Sequence, residues 1–75
     1  MQPSLSQLCK EHAQLLDEWE ALVREMTCLY ETKAWMPPSD PQRSAITAAV
    51  DQKTARTRDI RKRIEEINES LENAI

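Results

Sequence analysis

The sequence predicts an all-α fold, an antiparallel two-helix hairpin, and three observations carry that prediction. Among the 75 residues there is no glycine and no phenylalanine, and 31% are charged. Such a composition disfavours sheets and suits long solvated helices. Apolar residues recur every seven positions along most of the chain. The pattern breaks near the middle, at Pro37 and Pro38, where a missing amide and a restricted preceding residue end a helix.

The first helix is expected over about 4–35. Leu8, Leu15, Leu22 and Leu29 occupy the d positions, and Leu5, His12, Trp19 and Met26 the a positions. A seam kept through four heptads marks a helix packed along its length. The e positions, Cys9, Leu16, Val23 and Tyr30, make the apolar stripe wider than a two-stranded seam requires, so a second contact surface is expected. Ser4 and Gln7 have the spacing of a capping box at the start.

A turn is expected over about 36–40. Ser39-Asp40-Pro41-Gln42 then reads as a second helix start, with Ser39 or Asp40 as cap, proline in the first turn and Gln42 set for another capping box. The second helix is expected over about 41–73, with Val50, Thr57, Ile64 and Leu71 at a and Ile46, Lys53, Ile60, Ile67 and Ala74 at d. So short a connection makes the helices antiparallel neighbours.

If the chain reverses between Ser39 and Asp40, facing residues have numbers adding to about 79. The layers are then Leu5/Ala74, Leu8/Leu71, His12/Ile67, Leu15/Ile64, Trp19/Ile60, Leu22/Thr57, Met26/Lys53 and Leu29/Val50, most of them apolar on both sides. In the flanking g rows Glu18 is expected to face Arg63, and Glu25 to face Arg56. Exposed pairs of this kind contribute about 0–1 kcal/mol each, enough to favour one orientation but little stability.

Residues 1–75 make a single domain, and a core this small supplies only about 3–5 kcal/mol, so added support is expected. Disulfides do not provide it. Cys9 and Cys28 lie 19 positions apart on one helix, roughly 28 Å along its axis, far beyond a bridge. Free thiols point to a reducing compartment, hence a cytoplasmic protein. The opening residues Met1-Gln2-Pro3-Ser4-Leu5 lack a basic region followed by an apolar run, and no 18-residue apolar stretch occurs, so neither a signal peptide nor a membrane span is expected.

The net charge is -3 but unevenly spread. Lys53, Arg56, Arg58, Arg61, Lys62 and Arg63 surround only Asp59, which raises nucleic-acid binding through Arg56, Arg58, Arg61, Lys62 and Arg63 as one reading. Against it, the register sets this stretch beside Asp17, Glu18, Glu20 and Glu25, acids follow at Glu65, Glu66, Glu69 and Glu72, and no aromatic residue is interleaved for base stacking. A solvated, ion-paired face is the plainer reading.

Cys9 and His12 have a spacing at which two side chains can share a metal, but a structural zinc takes four ligands, so no metal or other cofactor is expected. With one histidine, no phosphate-cradling glycine loop and no serine beside a base, the chain is not expected to be an enzyme.

What remains is protein–protein interaction. Leu16, Val23 and Tyr30 form the uncovered edge of the first helix, and Trp35 and Met36 stand beside the prolines of the turn. Aromatic residues and methionine are common interface anchors. In the plainer alternative Trp35 folds over the hairpin tip and covers Ile46. The expected partner is another protein, with a homodimer completing a four-helix bundle or a hetero-complex doing so. The expected role is that of a small regulatory, inhibitor or adaptor protein.

In general plan such a hairpin resembles the RNA-binding ROP-type hairpins and the small hairpin co-chaperones of type III secretion. The likeness lies in length and architecture; no residue motif goes with it, and no site is carried over. It implies two further readings, a ROP-like nucleic-acid-binding hairpin and a secretion-type co-chaperone.

Overall fold

The computed structural model describes residues 4–74. Met1–Pro3, read above for a leader, and Ile75 lie outside them. The described residues form two helices and no strand, α1 over Leu5–Ala34 and α2 over Gln42–Asn73. Cross-helix contacts run in opposite directions along the two, from Lys33 with Thr47 near the turn to Glu11 with Arg63 toward the free ends. The result is an antiparallel hairpin, a rod of 55 × 16 × 15 Å.

The start of α1 is the reciprocal box its sequence implies. The Gln7 amide donates to Ser4 Oγ at 3.2 Å, and the Ser4 amide donates to Gln7 Oε1 at 2.9 Å, so two otherwise unpaired donors are satisfied. The start of α2 departs from expectation. Gln42 donates its amide to Asp40 Oδ1 at 2.9 Å, and its side chain does not close a second box; one short carboxylate already serves the first amide. The reversal between the helices spans Trp35–Pro41 and is longer than expected, because the last turn of α1 tightens, with the Trp35 amide donating to Thr32 O and the Met36 amide to Lys33 O. No residue among those described has a positive φ, so the reversal needs no glycine.

Arg43 closes the turn. Its Nη1 donates at 3.0 Å to both Lys33 O and Met36 O, so Lys33 O gains a second donor beside the Met36 amide and the end of α1 is joined to the turn. A cation at a helix C-terminus also complements the helix dipole. Lys33 Nζ donates to Thr47 Oγ1 at 2.9 Å, and Thr47 Oγ1 to Arg43 O at 3.0 Å, so the first turn of α2 is tied back to the last turn of α1.

The core is thin and lopsided. Of the five residues buried among those described, Ile46, Val50, Ile60 and Ile67 come from α2 and Leu8 alone from α1. Leu15, Leu22 and Leu29 are half-buried. This follows from the widths of the two faces: α2 offers a narrow a/d stripe flanked by Thr47, Thr54, Arg61 and Asn68 on one side and Arg56 and Arg63 on the other, whereas the α1 face is broader than one helix can cover. The threonines of the α2 seam place their hydroxyls on backbone carbonyls, Thr54 on Val50 O at 2.8 Å and Thr57 on Thr54 O at 2.7 Å, so no buried polar side-chain atom is left unpaired among the described residues.

Two of the expected layers and the expected ion pairs are corrected. Trp19 is not enclosed opposite Ile60 but keeps 43% of its surface exposed, while Ile60 is 1% exposed; an indole is too broad for a seam made with one helix, and it lies at the seam's edge. Leu5 and Ala74 are both exposed at the free end. The ion pairs are shifted by one heptad: Arg63 pairs with Glu11 and Arg56 with Glu18, while Glu25 is taken by Lys53 at 2.6 Å. Lys53 sits directly opposite Glu25, and once it claims that carboxylate the long arginines extend toward the free ends.

Candidate functional site

The two long edges of the hairpin differ. On one, the g rows meet and are closed by charge. Arg56 Nε and Nη2 donate to the two Glu18 oxygens at 2.5 and 3.0 Å, and Arg63 does the same to Glu11 at 2.5 and 2.9 Å while its Nη1 reaches Glu66 at 3.2 Å. These fork-to-fork bonds hold the Glu11 and Glu18 carboxyls below the usual carboxylate value, the hydrogen bond from each arginine being the main cause. The same contacts raise Arg56 and Arg63 further above an already high value.

On the opposite edge, apart from the Lys33–Thr47 and Thr54–Met26 hydrogen bonds, no ion pair bridges the helices among the described residues. The e row of α1 runs there as Cys9, Leu16, Val23 and Tyr30 beside the polar e row of α2. Leu5, Leu16, Val23 and Tyr30 keep 37–58% of their surface exposed, and Trp19 joins them from the a row. Beside Trp19 an open groove of about 380 Å³ is lined by Leu16, Ile60 and Ile64, with Arg61 and Glu65 at its rim. A second, of about 290 Å³, lies on its other side among Glu20, Val23 and Arg24.

The proposed partner-binding residues therefore fall into two groups. Leu16, Val23 and Tyr30 share one face of α1, the outer two about 21 Å apart along the axis. Trp35 is 89% exposed at the turn, so it does not cover Ile46, and Met36 beside it is half-buried. Trp19 and Leu5 were missed as surface residues; the signal was present, since they stand four or three positions from the e row, but the a row was assigned wholly to the core.

The basic residues do not form one free patch. Arg56 and Arg63 are engaged with Glu18 and Glu11, and Arg61 lies 3.6 Å from Glu65. Arg58 and Lys62 are exposed. Cys9 and Cys28 are both free and exposed, and among the described residues no three His, Cys, Asp or Glu side chains gather to hold a metal.

Comparison with protein-family models, with curated proteins and with solved structures finds no match to this chain. The reading of its surface rests on its own geometry. Among the described residues no helix is long and apolar enough to cross a membrane.

Proposed function

We propose that this chain is a non-enzymatic protein-interaction module, a small regulatory, inhibitor or adaptor protein that docks the apolar face of α1 on another protein surface. One observation carries the reading: among the described residues the large apolar side chains left exposed, from Leu5 to Trp35, all belong to α1 or its C-terminal cap, and none to α2. Scattered exposed apolar residues are ordinary, but a continuous row on one edge of one helix marks a contact surface. Completion of a four-helix bundle, by a second copy or by helices of a different protein, buries such a row while leaving the charged edge in water. The free thiols support a reducing compartment such as the cytoplasm.

The test is the size of the chain in extracts of its native host. Leu16 and Val23 are more than a third exposed, so Leu16→Asp with Val23→Asp leaves the helical circular dichroism largely intact. The parent is expected to elute in an assembly larger than 8.7 kDa, and the double variant at the size of a lone hairpin. Equal elution of the two refutes the docking face.

A further inference from the structure

We infer that the occupant of the α1 face is a second copy of this chain, docked antiparallel about a two-fold axis that passes between Leu16 and Trp19. The inference rests on the docking face proposed above and adds its partner and its register. From Leu5 through Cys9, His12, Leu16 and Trp19 to Val23 the steps alternate between four and three residues, and Tyr30 lies one heptad beyond. That is the spacing of a coiled-coil seam. It shares its a row with the leucine seam that α2 covers and takes the e row in place of the d row, so the hairpin leaves one margin of α1 open.

A seam of a and e positions is complementary to itself when two copies run in opposite directions. With numbers adding to about 35, Leu5 faces Tyr30 of the second copy, His12 faces Val23 and Leu16 faces Trp19, and each pairing occurs twice. Sliding by one heptad leaves either Leu5 or Tyr30 without a partner. The register that covers the whole row is thus unique, and its axis falls beside the groove of about 380 Å³ between Leu16, Trp19, Ile60 and Ile64. Trp19 of the second copy arrives opposite Leu16, where its indole enters that groove as a knob enters a hole.

The position of α2 favours the same orientation. An axis perpendicular to the helices sets both α2 helices on one side of the α1 pair, giving a four-helix bundle in which Arg61 at the groove rim keeps its own Glu65 at 3.6 Å, which screens it from Arg61 of the second copy. A parallel pair sends the α2 helices to opposite sides and leaves the groove open. Glu20 keeps its own Arg24 at 3.8 Å, which screens it from Glu20 of the second copy. Given that a whole aromatic side chain presents about 150–250 Å², the exposed parts of Leu5, Leu16, Trp19, Val23 and Tyr30 offer on the order of 500 Å². Groove walls and rim add to this, against the roughly 800 Å² per partner of a standard interface.

Sedimentation of the purified chain over a concentration series tests the partner, and cross-linking tests the register. The expected result is a species of twice 8.7 kDa. With Cys9→Ala and Cys28→Ala as background, His12→Cys and Val23→Cys proteins are mixed and treated with a bismaleimide spanning about 8–10 Å, the separation of packed helices. A linked dimer is expected in the mixture and in neither protein alone, because like positions lie about 16 Å apart along the axis. Leu5→Cys mixed with Tyr30→Cys repeats the test at the ends of the seam. A purified chain that stays monomeric overturns the second copy, while a large assembly in host extract would still uphold the docking face. A dimer in which His12→Cys links to itself overturns the antiparallel register. One that persists with Leu16→Asp and Val23→Asp overturns both the register and the face.

Discussion

Replacing Arg43 by alanine tests what holds the hairpin closed. Its Nη1 donates at 3.0 Å to Lys33 O and Met36 O, and hydrogen bonds from a charged donor contribute about 1.5–3 kcal/mol each. Here one nitrogen serves both acceptors and the site is half-buried, so water recovers part of the loss. The loss of a cation at the end of α1 adds about 0.3–1 kcal/mol. A total near 2 kcal/mol follows, a large share of the roughly 3–5 kcal/mol expected for a core of this size. For a domain of 60–100 residues each kcal/mol moves the melting temperature by about 4–8 °C, so Arg43→Ala is expected to melt about 8–16 °C below the parent. Circular dichroism melts at matched protein concentration are the assay, since association would itself raise the midpoint. Arg43→Lys keeps the charge but not the planar fork, and is expected to fall between the two. A variant melting within about 2 °C of the parent refutes the clamp.

Lys53→Leu is expected to raise the melting temperature by a few degrees, since an ion pair contributing about 0–1 kcal/mol gives way to a leucine whose burial against Met26 contributes about 1.5–3 kcal/mol; a lower midpoint would mean that the Glu25 contact outweighs packing. Acid is expected to weaken the hairpin through Glu11 and Glu18. Both carboxyls are held below the ordinary 4.5 by their arginines, so their contribution is complete above that pH and is lost as pH falls through the lower folded values. Melts from pH 7 to pH 3 compare the parent with Glu11→Gln/Glu18→Gln, which is expected to show the shallower decline; identical slopes refute the assignment.

Much of the fold is legible in the residues because local and long-range signals coincide. Pro37 and Pro38 stop α1, Ser4 and Gln7 start it, and the heptads of both halves meet in one register. What the residue pattern hides is reach. The g rows show that Glu11, Glu18 and Glu25 lie opposite Arg56 and Arg63, but which carboxylate each arginine takes depends on several rotatable bonds and on the competing claim of Lys53. Arg43 is hidden for a similar reason: among seven basic residues of the second half, nothing in its neighbours marks it as the one that reaches back across the turn. Trp19 was misplaced because periodicity records direction and not girth; its position points toward the seam, and its ring is too large to enter.

The bidentate arginines and the open apolar row lie on opposite margins of the same rod, and this gives the molecule two independent fastenings. Ionic strength and acid loosen the margin that favours this orientation of the two helices, whereas a competing greasy ligand would act on the other. Substitutions that retune grip on a neighbour can therefore accumulate along Leu16, Val23 and Tyr30 without disturbing the electrostatic latch at Glu11 and Glu18.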